Sequence, residues 1–215
     1  MIRTLQVGLI AASTIIAAQA GAQDVSRLDR ILQSGTLRVG TTGDYKPFTS
    51  RDPATGQFSG FDIEQAEALG KALGVKVAFV QTAWPTLMKD FEADKFDIAM
   101  GGISVSLDRQ KRGYFSAPYL REGKTPITRC ENVSKFQTIQ DIDRPGVKAI
   151  VNPGGTNERF ARGALREAEI VVYPDNTRIF DELAAGKADV MMTEDRKSTR
   201  LNSSHRSLSR MPSSA

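Results

Sequence analysis

Between residues 23 and 194, short apolar runs of period two alternate with longer stretches of helical period. Thr36–Thr42 (TLRVGTT) reads as a strand that runs into the loop Gly43 to Phe48. From Asp62 to Leu73 the apolar residues recur at helical spacing, with Ala66, Leu69 and Leu73 on one face and Gly74 as the stop. Val75–Val80 alternates as a strand. Trp84-Pro85 then opens a short helix, with proline tolerated in its first turn, and Phe96–Ile103 is the next strand. The same order recurs as strand Val147–Val151, a helix from Thr156, strand Glu169–Tyr173, a helix from Asn176 and strand Ala188–Met192.

The recurrence is partly literal. FEADKFDIAM (Phe91–Met100) lines up without gaps on LAAGKADVMM (Leu183–Met192), with Ala, Lys, Asp and Met matched where a helix meets a buried strand. Two similar α/β lobes follow, with ligands expected at the carboxyl ends of their strands, across a cleft.

The two ends of the chain break this pattern. Arg3, the apolar run Val7 to Ala18 and the small residues Ala18-Gln19-Ala20-Gly21-Ala22 have the layout of a secretory signal peptide over residues 1–22. The apolar run is short for a membrane span, and no later stretch is apolar enough to anchor the mature chain. From Asp195 the chain reads DRKSTRLNSSHRSLSRMPSSA, with no helical or strand period and no packed element expected. That string resembles the translated sequencing-adapter read-through that contaminates assembled gene fragments, so residues 195–215 are read as a non-native tail rather than a basic arm for nucleic acid.

Setting the ends aside changes the charge balance. Of 29 Lys and Arg, five lie in residues 195–215 beside one acid, and Arg3 lies in the leader, so residues 23–194 hold 23 basic against 24 acidic residues. The overall +4 therefore gives no electrostatic case for a nucleic-acid or anionic membrane partner. The one histidine, His205, is also in the tail, which removes Ser-His-Asp and His-metal chemistry from the rest. A lone cysteine, Cys130, leaves no intramolecular disulfide.

The chemistry-bearing residues cluster at the predicted strand ends. Asp44 and Tyr45 follow one strand, Trp84 another, and Gly101 to Arg109 a third. An aromatic pair can sandwich a flat ligand, and Arg109 can grip a carboxylate through two parallel hydrogen bonds, helped by Ser104. In the second lobe, Asn152-Pro153-Gly154-Gly155-Thr156-Asn157-Glu158 is a Gly-rich turn into a helix whose amides and dipole suit an anion. Each feature has a plainer explanation. Trp84 could cap the core, Arg109 could pair with Asp108 or a surface acid, and Gly154-Gly155 could be an ordinary turn, being neither a Walker A loop nor GxGxxG. Together they point to a small carboxylate ligand.

Residues 25–193 resemble the bacterial family 3 solute-binding proteins. The likeness is carried by SRLDRILQSGTLRVGTTGDYKPF (Ser26–Phe48), FDIAMGGIS (Phe96–Ser104), YFSAPYLREGKTPIT (Tyr114–Thr128) and VNPGGTNERFA (Val151–Ala161). Within that family the strings TTGDYKPF and NPGGTNE are most like the cyclohexadienyl dehydratase branch. The resemblance implies a periplasmic, two-lobed binding-protein fold of type II, with lobes at residues 23–122 and 123–194 and the second one incomplete. It also implies a cofactor-free, metal-free lyase that removes water and carbon dioxide from arogenate or prephenate.

By resemblance, Asp44, Tyr45 and Trp84 would line the ring pocket, and Ser104 and Arg109 would hold a substrate carboxylate. Asn152, Gly155 and Thr156 would meet the ligand from the second lobe. Glu194 stands where the family has an acid that commonly faces the ligand. The catalytic acid of the dehydratases falls a few residues further on, where this chain has Arg196 and Lys197, so no catalytic residue is assigned. The competing class is an amino-acid-binding protein serving an ABC permease, which would use the same Arg109, Gly155 and Thr156. A sensor domain would need a membrane segment downstream.

The order charged, apolar, small over residues 1–22 predicts cleavage after Ala20 or Ala22. Intact-mass measurement of exported protein should show a loss of about two kilodaltons. A periplasmic product that keeps Met1 contradicts it.

Overall fold

The structure is a computed structural model that describes residues 25–194 and the backbone of residues 208–210. The leader lies outside the described residues. Helix α1 (Arg27–Ser34) is capped by Ser26, whose hydroxyl accepts from Asp29 N–H. It is followed by β1 (Thr36–Thr41) and a small antiparallel meander of β2 (Asp44–Tyr45), β3 (Thr49–Arg51) and β4 (Phe58–Ser59). Helix α2 (Phe61–Leu73), β5 (Lys76–Gln81), α3 (Leu87–Glu92) and β6 (Ile98–Ala99) complete a three-stranded parallel sheet of order β5-β1-β6. Its core joins Ile31, Leu37, Val39 and Ala66.

The short α4 (Leu107–Gln110) precedes the crossing into the second lobe. That lobe contains β7 (Lys124–Arg129), α5 (Ile139–Ile142), β8 (Lys148–Val151), α6 (Thr156–Ala164), β9 (Glu169–Val172), α7 (Ile179–Ala184) and β10 (Val190–Glu194). Strands β10, β8 and β9 run parallel, and β7 lies antiparallel on β10. This sheet is buried on both faces. Ile127, Ile150 and Met191 pack beneath Ile179, Phe180 and Leu183 of α7, while Ala149, Val151, Val190 and Met192 pack with Ala161 of α6 and Ile142. A strand covered on both sides reads as an uninterrupted apolar run, which is what Val190-Met191-Met192 is.

Several boundaries differ from the sequence reading. Helix α3 starts at Leu87, not at Trp84-Pro85, because residues 84–86 form a turn in which the Thr86 N–H donates to the Ala83 carbonyl (3.0 Å). The hydroxyls of Thr82 (2.7 Å) and Thr86 (2.8 Å) both donate to Asp90, fixing that turn on the helix. Helix α7 likewise begins at Ile179, after its own turn. Strand β6 is only two residues long, because Gly101 and Gly102 adopt positive φ and turn the chain off the ladder. No element was expected past Asp195, yet the backbone of β11 (Leu208–Arg210) pairs antiparallel with β7. Strand β7 is otherwise an edge, and an edge accepts any extended segment that reaches it.

The internal echo is structural as well as literal. The Asp97 N–H donates to the Arg38 carbonyl (2.9 Å), and the Asp97 carboxylate accepts from the Arg38 N–H (2.9 Å). Asp189 makes the same pair of bonds with Lys148, both at 2.9 Å. Lys95 pairs with Asp90 and Lys187 with Glu182, and the residue that turns the chain is left-handed in both lobes (Asp94, φ 55°; Gly186, φ 75°).

Burial raises the pKa of the Asp97 carboxyl, but the hydrogen bonds and charge of Arg38 outweigh it, so the net shift is downward. A carboxylate held below its unfolded value stabilises the fold above that value, and the contribution is lost as pH falls through the folded one. Asp97→Ala should cost about 1–3 kcal/mol in urea unfolding at neutral pH, by orphaning the Arg38 backbone N–H and leaving its guanidinium only the Asp94 contacts. The gap to wild type should shrink below about pH 4. A gap that stays constant with pH refutes this.

Candidate functional site

Parallel strands end on one side of their sheet, and the first lobe's wall of the site is built from those ends. Past β1 come Asp44 and Tyr45, past β5 comes Trp84, and past β6 come Gly102 and Ser104. Ser106 then caps α4, its hydroxyl accepting from the Arg109 N–H (3.4 Å), which places Arg109 in the first turn. The indole N–H of Trp84 donates to both Asp44 oxygens, at 2.9 and 3.2 Å. Tyr45 meets the indole edge-on (79°, centroids 5.9 Å apart), and Arg109 Cζ stands 5.9 Å from its centroid. Position 102 has to be glycine. Its φ is +69°, and a Cβ there would fall 2.5 Å from the Phe48 ring and 2.7 Å from the Tyr45 ring. The Gly102 N–H donates to buried Asp62 (2.6 Å), whose other oxygen accepts from the Tyr119 hydroxyl (2.7 Å).

The second lobe supplies Asn152 from the end of β8, Gly155 and Thr156 from the start of α6, and Glu194 from the end of β10. Glu158 reaches back to accept from the Gly154 N–H (2.7 Å), which holds the Gly-rich turn in place. Glu194 is the node of this wall. It accepts from Lys124 Nζ (2.5 Å), Thr156 Oγ1 (3.2 Å), Asn157 Nδ2 (3.1 Å) and, across the cleft, the Tyr45 hydroxyl (3.2 Å). The anion at the start of α6 is thus the chain's own.

Eight of the nine candidates, Tyr45, Trp84, Ser104, Arg109, Asn152, Gly155, Thr156 and Glu194, line one cleft of about 290 Å³ between the lobes. Asp44 does not line it and instead stands behind Trp84. Gly102 and Asn157, which belong to the strand-end cluster and the Gly-rich turn without being singled out there, also line the cleft. Sequence reasoning missed Asn176, which lines it too, and Lys124, which grips Glu194. Asn176 had a usable signal, because the echo aligns it with Trp84. Of the plainer readings, the pairing of Arg109 with Asp108 does not occur. Asp108 pairs instead with Arg159 (3.4 Å), and Arg109 donates to the Ser104 carbonyl (2.9 Å).

Burial lowers the pKa of the Arg109 guanidinium to about 10, aided by repulsion from Arg159 and opposed by Glu194, so it stays charged at neutral pH. Burial lowers Lys124 against the pull of Glu194. The Tyr45 hydroxyl is raised by burial and then by the negative charge of Glu194, and it remains a donor. Arg109 is 4 % exposed and has no ion-pair partner among the described residues. A buried cation without a partner is costly, and a ligand anion would relieve that cost. Among the described residues no cluster of three or more His, Cys, Asp or Glu is arranged to hold a metal ion.

The two walls touch directly. Asn176 Nδ2 donates to the Asp44 carbonyl (3.2 Å), and Gly154 lies so close to Pro85 that a Cβ would fall 2.5 Å from the Pro85 Cα.

Residues 37–152 match the profile of the bacterial extracellular solute-binding proteins, family 3. The chain belongs to that family. This family 3 chain is 60% identical over 169 residues to a cyclohexadienyl dehydratase of Pseudomonas aeruginosa, covering 79% of the chain and 63% of the relative. It is 27% identical over 171 residues to an L-cystine-binding protein of Escherichia coli, covering 80% and 63%. It thus spans 63% of the length of each of these curated relatives. Among solved structures, an ancestral amino-acid-binding protein described as a precursor of cyclohexadienyl dehydratase superposes with a TM-score of 0.81 at 38% identity, covering 88% of this chain and 82% of that one. An ancestral arginine-binding protein bound to arginine gives a TM-score of 0.72 at 27% identity, covering 82% and 78%. The fold is therefore the two-lobed binding-protein architecture. No helix among the described residues is long and apolar enough to cross a membrane.

The contact at Gly154 sets how far the lobes of this family 3 protein can approach. Gly154→Ala and Gly154→Asn should both leave the lobes further apart and raise the radius of gyration in solution scattering. Asn tolerates the positive φ at this position (+72°), so a shared effect isolates the added Cβ. A closed-lobe profile unchanged in both variants refutes the contact.

Proposed function

We propose that the full-length protein is an exported, periplasmic cyclohexadienyl dehydratase that converts arogenate to phenylalanine or prephenate to phenylpyruvate. The 60% identity to the Pseudomonas aeruginosa enzyme supports this reading, and the charged-apolar-small leader supports export. The observation that carries it is the buried Arg109 guanidinium, which faces a cleft walled by Trp84 and Tyr45 and lacks an ion-pair partner among the described residues. Such a site takes a ring that bears a carboxylate.

In the proposed reaction the ring carboxylate leaves as carbon dioxide and its electron pair flows into the ring. The ring hydroxyl departs as water with one added proton, and aromatisation drives the step. Arg109 and Ser104 hold the side-chain carboxylate, Tyr45 and Trp84 flank the ring, and Asn152, Gly155 and Thr156 close over it. A general acid for the hydroxyl is worth roughly 10²–10⁴-fold. Glu194 already accepts from Tyr45, Lys124, Thr156 and Asn157, an arrangement suited to an acceptor and not to a proton donor. Residues 1–215 alone are therefore expected to turn over at a trace rate.

The test follows phenylpyruvate or phenylalanine formed from the two cyclohexadienes, comparing residues 1–215 with a chain extended to the full length of the relatives. The extended chain should be active. Arg109→Ala in it should weaken substrate binding by about 1.5–3 kcal/mol, as expected for a lost charge-assisted pair. Tight binding of an ordinary amino acid with both cyclohexadienes untouched would overturn the dehydratase reading in favour of transport.

A further inference from the structure

Arg109 poses a problem that the cleft solves indirectly. A buried guanidinium usually sits against a carboxylate, yet a direct ion pair would occupy the fork that has to meet a ligand. Here the guanidinium lies over the Trp84 indole, with Cζ 5.9 Å from the centroid, and makes one hydrogen bond, to the Ser104 carbonyl, among the described residues. The indole N–H edge is in turn gripped by both oxygens of Asp44 (2.9 and 3.2 Å). Asp44 itself is fixed from both lobes. Its backbone pairs with Ser50 in the meander, and its carbonyl accepts from Asn176 (3.2 Å).

We infer that Asp44 is a positioning residue that compensates the charge of Arg109 through the Trp84 ring and so leaves the guanidinium fork open for a ligand carboxylate. A carboxylate bonded to the indole N–H adds electron density to the ring and fixes its plane, and both effects strengthen the attraction between the ring face and a cation. The same acid placed directly against Arg109 would block the site. This inference deepens the proposed function, since the carboxylate it serves is the one assigned there. It requires only that the cleft bind a carboxylate, whichever molecule carries it.

Trp84 is the chain's single tryptophan, so its indole N–H gives one resonance and its emission reports this ring alone. In ligand-free protein, that resonance should move upfield in Asp44→Ala and return in Asp44→Glu. Titrations with prephenate and with L-arginine as separate probes should each weaken on the order of tenfold in Asp44→Ala and in Trp84→Phe. The double variant should be no weaker than Trp84→Phe alone, because both changes break one relay.

An indole resonance unmoved in Asp44→Ala overturns the inference. So does tighter binding in that variant, which would mean that Asp44 chiefly repels the ligand, and so do effects that multiply in the double variant. If Asp44→Ala does not fold, Trp84→Phe decides, and unchanged affinity for both probes overturns the inference. Loss of prephenate binding with L-arginine still sensitive to Asp44 defeats the dehydratase reading and leaves this one standing. A wild-type chain that binds neither probe defeats the open clamp itself.

Discussion

Two half-buried aspartates decide where the ends of the central strands fall. Asp97 and Asp189 each bind the backbone of the neighbouring strand in both directions, carboxylate to N–H and N–H to carbonyl. A charge-assisted bond to a backbone donor is strong and directional, so it fixes the register of β6 on β1 and of β10 on β8. A slip of one residue would turn every side chain to the opposite face. Met191 and Met192 would exchange cores, and Glu194 would leave the side where Lys124, Thr156 and Asn157 meet it. The geometry of the cleft therefore rests on a pair of bonds at the far end of the same strands.

The alternation of helices and strands was legible because both sheets impose simple patterns. Half-covered β5 alternates, and doubly covered β10 opens on the unbroken apolar run Val190-Met191-Met192. Boundaries were less legible where side-chain bonds override local preference. The short turns before α3 and α7 delay both helices, and glycines cut β6 short. Strand β11 left no trace in the sequence pattern, because pairing with an open edge needs only extended backbone.

The site was legible residue by residue but not in its connections. Strand ends, a Gly-rich turn and an Arg just past a strand end are visible in a sequence, and they do converge on one cleft. That Asp44 stands behind Trp84, that Asp108 turns to Arg159, and that Glu194 meets Tyr45 across the cleft depend on how the lobes face each other. Lys124 was missed for the same reason. Its importance comes from Glu194, seventy residues away in the chain.

The repeat between the lobes has one further consequence. Trp84 stands seven residues before Phe91, and Asn176 seven residues before Leu183, so the two occupy equivalent places on opposing walls. If these positions carried like residues, the cleft would present the same face to a guest from either side. An indole opposite a carboxamide breaks that pseudo-symmetry. A flat guest held between them would meet an indole on one side and a hydrogen-bonding edge on the other, so a half-turn about its own long axis would no longer be degenerate. The two walls thus differ in chemistry although they are built to the same plan.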